Sequence, residues 1–182
     1  MEIGLLVLRL VVGLGLAAHG AQKLFGAFGG AGIDGTGAVF EQVGLRPGRL
    51  HALVAGVAEF GGGLLIAVGL VTPFAAAAVI AVQTAAVLTV HWRNGFFATN
   101  NGFEYNLTLI AAAFALAGVG AGRWSLDHAI GLDLMSTGWA LAALAAGVLG
   151  GVAAVVSGRV AARAGSARDR GHGATPGRPA AS

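Results

Sequence analysis

Five stretches of this chain are apolar over most of the thickness of a lipid bilayer: Ile3–Ala18 continuing toward Leu24, Ala52–Val71, Phe74–Val90, Leu107–Ala121 and Gly138–Val156. A helix that crosses the hydrocarbon core needs roughly 17–25 such residues. Every backbone polar group in lipid must be satisfied within the protein, so only helices and closed barrels can span. No stretch here alternates polar and apolar residues over the roughly ten positions of a barrel strand. The expected fold is therefore an all-α membrane protein, with a four-helix transmembrane bundle over 1–135, a fifth transmembrane helix within 136–157, and a disordered basic tail over 158–182. Composition agrees. Of 182 residues, 56% are hydrophobic and 10% charged, against about a quarter charged in soluble domains. The 32 glycines suit helices that approach backbone to backbone in lipid.

Thr72-Pro73 interrupts the second and third segments, with Thr72 placed to cap and Pro73 at a first helical position, so these two helices form a tight antiparallel hairpin. Gly26–Gly37 reads as a glycine-rich loop, and Val39, Phe40 and Val43 as a short amphipathic turn on the membrane surface. The first segment lacks a basic leader, because Glu2 stands there and Arg9 interrupts the apolar run, so it reads as a span and not as a cleaved signal. Five spans put Lys23, Arg46, Arg49, Arg93 and the arginines of the tail on one side and only Arg123 on the other. By the excess of basic residues on the cytoplasmic face, that side is the cytoplasm and the membrane is the plasma membrane. Five arginines among the last 24 residues fit an anionic lipid surface better than nucleic acid, which is not an expected partner. Cysteine is absent, so the chain forms no disulfide and performs no thiol exchange.

Glu59 and Arg9 lie inside apolar segments, where an ionisable side chain is expensive enough to be a functional-site candidate. Glu59 stands about 12 Å along its helix from His51 at 1.5 Å per residue. One reading pairs Arg9 with Glu59 as a structural bridge. The other leaves Glu59 to hold or pass a proton. Gln83 could hydrogen-bond to either. Gly61-Gly62-Gly63 and Gly147-xxx-Gly151 offer close helix approach.

On the first helix, Arg9, His19 and Lys23 share one face at 100° per residue. His91-Trp-Arg-Asn-Gly-Phe-Phe97 and Gly102-Phe-Glu-Tyr-Asn106 bracket the same side of the membrane with rings that suit an interfacial belt. His19, Lys23, His51, His91, Arg93 and Glu104 converge there. Rings with a few convergent polar groups describe a pocket for a planar amphipathic molecule such as a quinone headgroup. Haem or a metal is not expected, for no ligand motif accompanies the histidines. Gly30-Ala-Gly32-Ile-Asp-Gly35 matches a nucleotide fingerprint by spacing but lacks its strand and helix context.

His19-Gly-Ala-Gln-Lys-Leu-Phe-Gly26, Ala58-Glu59-Phe-Gly-Gly62, the two aromatic segments just quoted and Gly122-Arg-Trp-Ser-Leu-Asp127 resemble the DoxX family over about residues 3–130. The resemblance implies a small four-helix membrane bundle of bacteria and archaea. It also implies links to quinone-coupled oxidation of sulfur compounds and to membrane-bound oxidative-stress assemblies. The resulting expectation is a membrane subunit of a redox assembly that binds a quinone. His19, Lys23, His91 and Tyr105 are its cofactor-binding candidates, and Glu59 and Glu104 its proton-exchanging, catalytic candidates. Electrons come from a soluble or membrane redox protein, and membrane lipids and a second copy of the chain are further expected partners. The alternatives are a non-enzymatic scaffold that docks soluble redox proteins through the basic tail, and a small-solute or proton-coupled transporter lined by Arg9 and Glu59.

Overall fold

A computed structural model of the protein describes residues 2–172, with side chains through Ala167. The described residues form helices and no strand. Helix α1 spans Glu2–Phe25, α2 Gly32–Gln42, α3 Gly48–Val68, α4 Thr72–Ala86, α5 Glu104–Val119, α6 Leu126–Ala129 and α7 Thr137–His172. Four helices are long and apolar enough to cross a membrane: α1, α3, α4 with its continuation to Asn94, and α7. Helix α5 is apolar but shorter, 16 residues, or about 24 Å.

Packing runs α1 on α3, α3 on α4, and α4 on both α5 and α7, with the short α2 laid against α3. The interior is built of small residues and a few branched ones, among them Leu16, Ile66, Ala76, Ile80 and Leu116. Large apolar side chains such as Val11, Leu14, Phe74, Leu141 and Leu149 point outward. That is the arrangement expected in lipid, where burying a leucine away from acyl chains gains little and close backbone approach gains dispersion. Gly13 and Gly63 face each other across α1 and α3. A Cβ on Gly13 would stand 2.5 Å from the Gly63 carbonyl oxygen, and one on Gly63 2.6 Å from the Ala17 nitrogen. Gly62 turns instead toward Ala75, Ala78 and Val79 of α4, while Gly61 meets nothing within 4 Å. Gly147 and Gly151 of α7 seat against Ile80 and Ala81 of α4 in the same manner, as their spacing predicts.

The hairpin between α3 and α4 is as tight as expected, but its cap comes from elsewhere. Thr72 does not cap; Asp127, from α6, accepts from the backbone nitrogens of Val71 at 2.7 Å and Thr72 at 3.1 Å and from the Thr72 hydroxyl at 2.7 Å. A carboxylate at a helix N-terminus satisfies amides that have no partner within the helix.

Two segments differ from expectation. The glycine-rich stretch becomes helical from Gly32. The tail, expected to be disordered from 158, continues α7 as one helix through His172. Alanine is frequent there, no proline falls before Pro176, and the α2–α3 connection holds it, with Arg46 nitrogen donating to the Gly158 carbonyl at 3.2 Å. The remainder of the expected tail, 173–182 with Arg178, lies outside the described residues, as do the side chains of Arg168 and Arg170.

Candidate functional site

The α1–α3 register decides where the intramembrane charges meet. The helices run antiparallel, with Gly13 beside Gly63 and Ala67, Gly20 beside Phe60, and Lys23 and Leu24 beside Gly56. Lys23 is thereby brought to Glu59, and its ammonium donates to Glu59 Oε2. Glu59 is 5% exposed, and the lysine is partly buried. Arg9 lies about 21 Å along α1 from Lys23 at 1.5 Å per residue, so it meets Ala67 and not Glu59. The Arg9–Glu59 bridge is replaced by two others: Lys23 with Glu59, and the wholly buried Arg9 guanidinium with backbone carbonyls. Arg9 donates from Nη1 to Ala67 O at 3.3 Å and from Nη2 to Trp124 O. A side chain at Gly69, whose φ is +67°, would collide with that guanidinium.

Gln83 reaches neither charge. It accepts at 2.8 Å from the Asn106 side-chain amide, a buried bond between α4 and α5. A polar pair of this kind gives each amide a partner in the apolar interior and ties the two helices together.

Phe60, next to Glu59 in sequence, meets Phe25 edge to face with centroids 5.5 Å apart. Phe25 is exposed on the outer surface of the bundle. His19 is exposed one turn before Lys23 on α1, and its Nδ1 lies 3.2 Å from Gln22 Oε1. The site thus combines a buried carboxylate paired with a partly buried lysine, an aromatic contact that reaches the outer surface and an exposed imidazole one turn away.

His91, Glu104 and Tyr105 belong to a separate structure at the same end of the bundle. Helix α4 continues through a π turn over Val87–His91 and a 3₁₀ turn over Trp92–Asn94. His91 Nδ1 lies 2.8 Å from the Asn101 carbonyl oxygen, and Glu104 Oε2 accepts from the Ala98 nitrogen at 2.9 Å. Trp92 stacks on Phe103 with centroids 5.4 Å apart, and Phe96 packs against Phe97 and Phe103. His91 and Glu104 close this loop on itself. Their bonds run within it and not to Lys23 or Glu59. Tyr105 is exposed at the start of α5.

A cavity of about 520 Å³ opens beside Asp127, Arg123 and Met135. Another, of about 580 Å³, opens at the opposite end beside Trp92, Arg93 and Arg159. Neither is lined by His19, Lys23, Glu59, His91, Glu104 or Tyr105. Among the described residues, no group of three His, Cys, Asp or Glu is placed to hold a metal ion. Asp127 and Asn106 do structural work that the sequence reading did not assign. Their only sequence signal was position, a polar residue beside an apolar segment.

The DoxX family model matches residues 4–92. A curated protein of Bacillus subtilis (strain 168), named "Putative oxidoreductase CatD", is 32% identical over 117 residues, which span 64% of this chain and 81% of the relative. The chain belongs to the DoxX family. No solved structure matches it. The family match ends at Trp92, short of the resemblance over 3–130. It contains His19, Lys23, Glu59 and His91 and stops before Glu104 and Tyr105.

Proposed function

We propose that this DoxX protein is a quinone-binding membrane subunit of a redox assembly, one that serves the oxidation of sulfur compounds or the response to oxidative stress. The observation that carries the reading is the Lys23–Glu59 pair, its carboxylate buried next in sequence to Phe60 of the Phe25–Phe60 contact and lying within the matched family region. The relative named as an oxidoreductase supports the same class of chemistry. The donor set fits a quinone headgroup: a lysine ammonium has three donors, and only one is occupied by Glu59. The two phenyl rings offer apolar surface to a flat ring arriving from the bilayer. When bound, a quinone takes up two electrons and two protons. Lys23 directs its free N–H groups at a ring oxygen, Glu59 holds the ammonium in place and receives or returns a proton, and His19 exchanges that proton with the aqueous edge. Electrons come from a partner protein. His91, Glu104 and Tyr105 then shape the neighbouring loop. The distribution of Lys and Arg supports a plasma-membrane protein whose basic end faces the cytoplasm.

The test is quinone content after purification in mild detergent, compared between the native protein and the Lys23→Met/Glu59→Leu double variant. Removing both partners avoids leaving one charge stranded in an apolar interior, so the double variant keeps its fold. Near-stoichiometric quinone in the native protein and its loss in the variant are expected. Equal quinone in both samples, or none in the native protein, overturns the reading.

A second reading, a scaffold that recruits soluble redox proteins, is favoured by the extension of α7, which carries Arg159 and Arg163 beyond its apolar part. In that case removing Ser157–Ser182 abolishes recruitment while the double variant retains it.

A further inference from the structure

The 580 Å³ cavity lies where three segments meet at the basic end. The C-terminal end of α2 supplies Gln42 and Val43, the π turn after α4 supplies Leu88 and Val90 with Arg93 just beyond, and α7 supplies Arg159. Each wall is held in place. The Arg46 nitrogen donates to the Gly158 carbonyl and holds α7 against the α2–α3 connection. Arg159 donates from Nη2 to the Leu88 carbonyl at 3.3 Å, which sets its guanidinium at the rim. Trp92, which also lines the cavity, is braced by its stack on Phe103.

No carboxylate lines this cavity. The nearest acid in sequence, Glu41, accepts from the Gly48 nitrogen at 3.1 Å, and Asp34 pairs with Arg49. Among the described residues, neither Arg93 nor Arg159 is in an ion pair. Two guanidinium groups therefore share one concave site without a counter-charge, a placement that repels itself until an anion arrives. Planar guanidinium forks match phosphate oxygens in pairs. The other wall is apolar: Val43, Leu88 and Val90, of which Leu88 and Val90 are exposed on the π turn. A phosphate carrying an acyl chain suits both halves of the site, whereas a free phosphate ion leaves the apolar half unused.

We propose that the cavity between α2, the π turn of α4 and α7 binds the phosphodiester of an anionic phospholipid, with Arg93 and Arg159 holding the phosphate and the acyl chains lying along Leu88 and Val90. The site is independent of the quinone reading, because it shares no residue with the Lys23–Glu59 pair.

Native mass spectrometry of the full chain, exchanged from detergent with phosphatidylglycerol or with phosphatidylcholine, tests the assignment. Phosphatidylglycerol is retained about tenfold more than phosphatidylcholine, the order expected of two arginines near a membrane surface. Arg93→Gln brings the two lipids close to parity. Among the described residues the Arg93 side chain has no hydrogen-bond partner, so Arg93→Gln keeps the unfolding temperature of the native protein. Arg163→Gln, on α7 but outside the cavity, keeps the preference. Equal retention of both lipids by the native protein, or an undiminished preference in Arg93→Gln, overturns the proposal. Loss of preference in Arg163→Gln as large as in Arg93→Gln overturns it in favour of diffuse surface charge. Displacement of phosphatidylglycerol by inorganic phosphate with equal thermal stabilisation overturns it in favour of a free anion.

Discussion

Asp127, on α6 and 55 residues beyond Thr72, accepts three hydrogen bonds at the start of α4. Asp127→Ala strands two backbone amides and a hydroxyl, which should lower stability by about 2–3 kcal/mol. Asp127→Asn keeps an acceptor oxygen but gives up the carboxylate at the helix terminus, and should lose about 1 kcal/mol. Thermal unfolding in detergent orders the two variants, and equal stability would refute the cap. At this scale the sequence exposed which residues were out of place and left their partners hidden. Arg9 and Glu59 stood out as charges in apolar runs. Arg9 nevertheless binds the carbonyls of Ala67 and Trp124, and every residue carries such a group, so nothing in the letters marks those two. Lys23 and Glu59 were both legible as candidates, but their pairing depends on the α1–α3 register.

That register is an element-scale property, and glycine sets it. Gly13→Val drives two methyl groups and a Cβ into the α3 backbone and should cost about 3 kcal/mol, the overpacking range of a rigid interior. Gly61 is its control: with open space around its Cβ position, Gly61→Ala should stabilise by about 0.5–1 kcal/mol through helix propensity. Denaturation in mixed micelles reads both, and the opposite signs distinguish helix contact from mere glycine content. The apolar segments themselves were legible because their length is dictated by the bilayer. Continuation of α7 past Val156 was not, because Ser157, Gly158 and Arg159 end a hydrophobic run without ending the helix. The π turn at Val87–His91 likewise leaves no mark in hydropathy, since it changes the hydrogen-bond spacing and not the side chains.

At the scale of the whole molecule, the absence of cysteine makes topology directly measurable. Single variants Ala98→Cys and Ala161→Cys should react with a membrane-impermeant maleimide from one side, and Leu132→Cys from the other; all three positions are exposed. In intact cells Leu132→Cys should label and the other two should label only after lysis. Labelling of Ala161→Cys together with Leu132→Cys would mean that α7 does not cross. The apolar helices are legible in sequence because hydropathy accumulates along the chain, and the labelling pattern counts how many of them cross. Which helices touch is a different matter, determined by where small residues permit approach.

One further consequence concerns the order in which the protein is made. Helix α1 emerges first, yet its two intramembrane cations are bonded by groups synthesised later: Lys23 by a carboxylate 36 residues on, and the Arg9 Nη atoms by carbonyls 58 and 115 residues on. The N-terminal helix therefore cannot be released into the bilayer as a finished piece. It stays incomplete until the segment around Trp124 has left the ribosome, so a truncated chain carries an uncompensated arginine in lipid, and its own first helix marks it for quality control.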